Sequence, residues 1–182
     1  MKTKFFTGKG DKGQSAFGKK KLPKDDALFD VLGNLDELNS WVGFCGVGAP
    51  KNIKDVLKQI QEDLFTVQAE VAMAGFNYKS ASFKKITAKK TGELEEIILG
   101  IDKKLPPIRN FILPGGSELA SKLDIARVIA RRTERAAIGF SKKKKLASEL
   151  LKFLNRLSSL FFALARYVNH TKGIKEEKPS YN

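Results

Sequence analysis

Four of the chain's seven arginines fall within nine consecutive positions, at Arg127, Arg131, Arg132 and Arg135. Arg127, Arg131 and Arg135 stand four residues apart, which on a helix aligns their guanidinium groups along one face. The chain has 34 lysines and arginines in all, and lysine serves a merely solvated face equally well. Arginine's planar fork grips an oxyanion through two parallel hydrogen bonds, so its use here points to bidentate anion recognition. Asp124 and Glu134 stand beside these residues, and a charge-balanced surface face is the plainer alternative.

A second anion-binding candidate lies near the start, where Gly8-Lys9-Gly10-Asp11-Lys12-Gly13 matches G-x-G-x-x-G. No credible strand precedes it and no apolar helix directly follows, so a dinucleotide-binding fold is not supported. Gly13 to Lys20 falls one hydroxyl short of a phosphate-binding P-loop, because Lys20 stands where Ser or Thr is required. Closely spaced glycines still let backbone N–H groups wrap an anion, and Lys9, Lys12, Lys19 and Lys24 supply charge. A flexible amino-terminal tail is the alternative.

Helices must position these groups. Leu28, Val31 or Leu32, Leu35, Leu38, Val42 and Cys45 form one apolar stripe ending at Gly46-Val47-Gly48. Asp36, Asn39, Ser40 and Gly43 share another stripe of that helix. A second helix is expected from about Asn52 to Gly75, on Ile53, Val56, Ile60, Leu64, Val67 and Val71. Residues 76–90 read as a loop, after which Thr91 caps a shorter helix stopped by Pro106-Pro107. Pro114-Gly115-Gly116 and a capping Ser117 open the arginine helix, whose stripe is Leu119, Leu123, Ala126, Ala130 and Ala137. Leu150, Leu154, Leu157, Phe161, Leu164 and Val168 define the last helix, with Asn155, Ser159, Phe162 and Arg166 along one side. The expectation is an all-α, five-helix bundle: four long antiparallel helices and a shorter one, with no strand and no internal linker. The whole chain, 1–182, reads as one domain, with 1–24 a glycine-rich phosphate-binding loop and 173–182 a disordered tail.

Composition narrows the function classes. One Cys and one His leave little room for a disulfide or a His/Cys metal site, and no metal-ligating residues are assigned. No apolar run approaches the roughly 20 residues that span a bilayer. The opening M-K-T-K-F-F-T-G lacks an apolar stretch, so no signal peptide and a cytoplasmic location are expected. The net charge of +14 suggests phosphate-rich partners, although lysine runs such as Lys142 to Lys145 ordinarily form solvated loops.

Four ordered blocks carry a resemblance: T-G-K-G-D-K-G-Q-S; P-K-D-D-A-L-F-D-V-L-G-N-L-D-E-L-N-S; F-I-L-P-G-G-S with A-R-V-I-A-R-R-T-E-R; and F-L-N-R-L-S-S-L-F-F-A-L-A-R. Together, over about residues 7 to 170, the chain resembles the ATP:cob(I)alamin adenosyltransferases of the propanediol-utilisation (PduO) type. The resemblance implies a homotrimer with sites between subunits, and transfer of the 5′-deoxyadenosyl group of ATP to cob(I)alamin with release of triphosphate. It implies that Thr7, Gly8, Lys9, Gly10, Asp11, Lys12, Gly13, Gln14, Ser15, Ala16 and Lys24 wrap the phosphates. Arg131, Arg132, Glu134, Arg135 and Asn155 would complete the nucleotide site. Arg127 would pair with Asp36, and Phe111 would face the corrin; the catalytic assignments are thus Arg127, Asp36, Arg131 and Phe111.

Mg²⁺ would accompany ATP, held largely by phosphates and water. Implied partners are a cobalamin reductase and an adenosylcobalamin-dependent enzyme, with no nucleic acid and no membrane. Asp124 stands where relatives commonly carry His, and Ser159 where Asp is frequent. The readings set against this one are a basic nucleic-acid-binding helical module and a bundle that binds ATP without catalysis. Phe residues on core stripes and carboxylates among the arginines count against the nucleic-acid module.

Overall fold

The computed structural model describes residues 5–6, 8–78 and 83–181. Two short strands, β1 (Gln14–Phe17) and β2 (Lys20–Pro23), precede five helices: α1 (Ala27–Gly46), α2 (Lys51–Gly75), α3 (Ala88–Asp102), α4 (Glu118–Ser141) and α5 (Ser148–Thr171). The apolar stripes select the packing. Leu28, Val31, Leu35, Leu38, Val42 and Cys45 of α1 are all buried, as are Leu150, Leu154, Leu157, Phe161, Leu164 and Val168 of α5. α4 lies between α1 and α5, α2 packs on the far side of α1, and α3 packs on α5. Each helix thus buries one face and leaves another for solvent or ligand. No helix among the described residues is long and apolar enough to cross a membrane.

Helix starts follow local chemistry. The Asp26 carboxylate accepts the Leu28 N–H at 2.8 Å, and the Ser117 hydroxyl accepts the Ala120 N–H at 3.3 Å. Each satisfies one donor that the first turn leaves unpaired. At the α1–α2 contact a Cβ on Gly75 would lie 2.5 Å from both Leu28 methyls, so any larger residue would force the buried Leu28 side chain to shift.

Three sequence expectations change. The amino-terminal segment contains a hairpin, pairing Gln14 with Pro23 and Phe17 with Lys20. Its strands are exposed on almost every residue, so they lack the alternation that marks a half-buried strand. α3 begins earlier than expected: Thr87 takes the cap position, and Thr91 is buried within the helix. Residues 173–181, expected as a disordered tail, run without helix or strand and are tied to the bundle. Glu176 accepts from buried Arg166 at 2.5 Å, and the Leu113 N–H donates to the Glu177 carbonyl at 2.8 Å.

Candidate active site

α4 presents the arginines as the spacing requires, but their surroundings differ. Arg131 and Arg135 are exposed and, among the described residues, neither forms a hydrogen bond or ion pair. Two free guanidinium groups one turn apart can take an anion with no prior bond to break. Arg132 points back to α1: its Nε donates to Asn34 Oδ1 at 2.7 Å, and its terminal nitrogen pairs with Glu37. The Thr133 hydroxyl donates to the Asn34 carbonyl at 3.1 Å and reinforces that contact. Glu134 accepts from Asn155 Nδ2 at 2.8 Å, Asn155 Oδ1 accepts from Arg156 at 2.8 Å, and Arg156 Nε donates to Glu95 at 2.7 Å. This relay from α4 through α5 to α3 fixes the side-chain amide of Asn155.

Arg127 does not meet Asp36 within the chain. Its Nε donates to Asp124 Oδ1 at 3.3 Å, one turn back on α4. Asp36 is exposed on α1 and forms no side-chain bond among the described residues. The three-residue spacing explains the local partner: Asp124 and Arg127 are neighbours on one helical face. Asp124 also accepts the Gly115 N–H at 3.1 Å, tying the turn before α4 to the same carboxylate.

The glycine loop is folded. Asp11 N–H bonds to the Gly8 carbonyl at 3.3 Å, and Gly13 N–H bonds to the Gly10 carbonyl at 3.2 Å. Gly8 and Gly13 take φ of +67° and +71°, which side chains rarely adopt. The Lys24 N–H donates to the Gly13 carbonyl at 2.9 Å, closing the loop at its base. A Cβ on Gly10 would lie 3.1 Å from Lys24 Nζ, so the ammonium sits against the loop. Lys9, Asp11, Lys12, Gln14 and Ala16 are exposed, and Ser15 is half-buried. Thr7 lies outside the described residues. No hydrogen bond or ion pair between described residues joins this loop to Arg131, Arg132, Glu134 or Arg135. Arg132 and Glu134 bond instead to α1 and α5.

Phe111, which the sequence alone would place in a core, is 78% exposed. Ile108 and Leu113 are exposed nearby, and residues 108–111 with 178–181 line an open hollow of about 670 Å³. The turn from Phe111 to Ser117 is held by Asn169, a residue that sequence reasoning missed. Its Nδ2 donates to the Gly115 carbonyl at 2.8 Å, and its Oδ1 accepts from the Ser117 N–H at 2.9 Å and the Ser117 hydroxyl at 3.0 Å. An asparagine near a helix end is commonplace, so no sequence signal singled it out. Cys45 is no nucleophile: burial pushes its thiol up to about 11, which keeps it protonated at neutral pH.

A family model described as cobalamin adenosyltransferase matches residues 5–168. The chain belongs to that family. It is 36% identical over 176 residues to a corrinoid adenosyltransferase of Bacillus subtilis, covering 94% of this chain and 89% of that protein. It is 35% identical over 181 residues to the human corrinoid adenosyltransferase MMAB, covering 96% and 72% respectively. Among solved structures it is similar to a variant PduO-type ATP:corrinoid adenosyltransferase from Lactobacillus reuteri complexed with cobalamin and ATP. That match has a TM-score of 0.91 and 36% identity, and covers 97% of both chains. A second variant of that enzyme, complexed with ATP, gives a TM-score of 0.87 at 36% identity, with 96% of this chain and 99% of that one covered. The bundle of this family member thus carries free arginines, a folded glycine loop and an exposed aromatic turn.

Proposed function

We propose that this chain transfers the 5′-deoxyadenosyl group of ATP to cob(I)alamin, giving adenosylcobalamin and triphosphate. The observation that carries this reading is the pair of unpartnered guanidinium groups, Arg131 and Arg135, on a chain that shares fold and family with enzymes solved with ATP and cobalamin. In the reaction cobalt(I) attacks the 5′-carbon, a carbon–cobalt bond forms, and the carbon–oxygen bond to triphosphate breaks with its electron pair leaving on oxygen. No proton moves, so no acid or base is needed. What the step requires is cations and fixed donors for the leaving triphosphate. Arg131, Arg135, Lys24 and the glycine-loop N–H groups have that chemistry. Removing one such preorganised donor typically costs ~3–4 kcal/mol of transition-state stabilisation.

Among the described residues no group of three or more His, Cys, Asp and Glu could hold a metal. A Mg²⁺ bound with ATP would take its oxygen ligands largely from phosphate and water, which suits that ion. Phe111, with Ile108 and Leu113, offers an apolar surface to the corrin, where it would keep water and the lower axial ligand off cobalt. No hydrogen bond or ion pair among the described residues joins the glycine loop to the arginines, and the reading includes a homotrimer in which the loop of one subunit completes the arginine face of another. Exposed Asp36 is then available to Arg127 across that boundary, in competition with Asp124. A reductase delivering cobalt(I) and an enzyme consuming adenosylcobalamin are the protein partners that the chemistry requires, and buried Cys45 is compatible with a reducing cytoplasm. The test is spectroscopic: with ATP and Mg²⁺ present, loss of the cob(I)alamin absorbance with appearance of adenosylcobalamin supports the reading. No turnover by folded protein overturns it.

A further inference from the structure

The hairpin preceding α1 has four-residue strands with almost no buried face, and an isolated two-stranded hairpin is marginal in water. Something outside it must hold it, and the contacts converge on the residues just past α2. The Tyr78 hydroxyl donates to the Phe17 carbonyl at 3.2 Å and accepts the Lys19 N–H at 3.3 Å, spanning the hairpin turn. Gly18, between them, has φ of +59°, and a Cβ there would lie 2.7 Å from that hydroxyl. The turn is therefore shaped around Tyr78. The Phe17 ring stacks on Phe76 at 5.4 Å and meets the Tyr78 ring edge-on at 5.5 Å. Lys20 Nζ sits 4.8 Å over the Tyr78 ring and donates to the Phe76 carbonyl at 2.6 Å and the Asn77 carbonyl at 3.2 Å. It thereby satisfies carbonyls at the end of α2.

At its other end the hairpin closes the glycine loop through the Lys24–Gly13 bond and the Gln14–Pro23 pair. Strand register transmits a constraint at the tip to that base. We propose that Tyr78 is a positioning residue for the nucleotide: it clasps the hairpin tip and so presets the Gly8–Gly13 loop before phosphate arrives. The proposal rests on the reading that this loop holds the triphosphate. Tyr78 itself touches no expected ligand position, and its effect passes entirely through the hairpin.

The experiment compares the unmodified chain with Tyr78→Phe and Tyr78→Ala by amide hydrogen exchange over residues 8–24, with and without Mg-ATP, and by steady-state kinetics. Tyr78→Phe keeps the ring contacts and loses both hydroxyl bonds, so the ATP KM should rise about threefold to tenfold. Tyr78→Ala should raise it further and speed exchange at 8–24 even without ATP, with the corrinoid KM little changed. Exchange and ATP KM at unmodified levels in both variants would overturn the proposal. So would faster exchange in Tyr78→Ala with an unchanged ATP KM, since Tyr78 would then hold a hairpin without serving the nucleotide. Failure of the underlying reading has a different signature: Mg-ATP would leave exchange at 8–24 unaltered in the unmodified chain.

Discussion

Asn169→Ala tests how the turn carrying Phe111 is held. The side chain makes three hydrogen bonds, to the Gly115 carbonyl at 2.8 Å, the Ser117 N–H at 2.9 Å and the Ser117 hydroxyl at 3.0 Å. At ~0.5–1.5 kcal/mol net for each bond, the loss is about 3 kcal/mol, the middle of the range for three bonds. For a chain of this length that corresponds to a melting temperature lower by roughly 6–12 °C. Asn169→Asp should cost less. It keeps both acceptor contacts to Ser117 and adds negative charge at the start of α4, while setting an oxygen against the Gly115 carbonyl. Urea unfolding monitored by circular dichroism gives the stability order, and adenosylation in which cobalt(II) must be reduced on the protein gives the functional loss, expected mainly in corrinoid KM. Asn169→Ala within ~0.5 kcal/mol of the unmodified chain would refute the reasoning, because such a change is typical of a surface position away from any structural role. A stable variant with normal corrinoid KM would leave the turn without need of Asn169.

Two further outcomes follow from the site and the fold. Phe111→Ala should retain activity when cobalt(I) is supplied chemically and lose it when cobalt(II) must be reduced on the protein; equal losses in both assays would make Phe111 a binding residue only. Glu70 accepts the Ile86 N–H, and burial raises its carboxyl above the ordinary value. A carboxyl raised on folding binds more protons in the folded state, so its contribution to stability grows as pH falls from the folded value toward the unfolded value near ~4.3. Glu70→Gln keeps an acceptor for Ile86 and should flatten this part of the stability–pH profile; an unchanged profile in urea melts would refute the assignment.

The helices were legible because burial demands periodicity. Leu28, Leu35, Leu38 and Val42 recur at helical spacing and are all buried, and Ser117 caps α4 where a hydroxyl before an apolar run suggests. The α3 boundary was not, since Thr87 and Thr91 are chemically equivalent cap candidates and Thr87 makes no side-chain cap bond. Phe111 is legible only through the resemblance for a related reason: from spacing alone, an apolar residue beside a turn reads as core whether it faces inward or outward. The alignment of Arg127, Arg131 and Arg135 was readable, but their separate fates were not. Asp124 captures Arg127, and Glu37 and Asn34 capture Arg132, through contacts that only helix packing and side-chain direction decide. The hairpin left no trace because both of its faces are wet.

α4 has the Phe111 turn before its first residue, while Lys144, just past its last, bonds to Asn77 beside the hairpin tip. At ~1.5 Å per residue the helix holds these ends about 36 Å apart. Nucleophile and carbon must come within ~3–3.5 Å to react. In the proposed homotrimer each reaction centre would draw on two chains, the glycine loop of one and the arginine face of another. Inheritance would register this geometry. Two inactive alleles, one damaged in the glycine loop and one on the arginine face, would restore activity when expressed together, because one boundary in a mixed assembly unites two sound halves. Two alleles damaged in the same half would never complement.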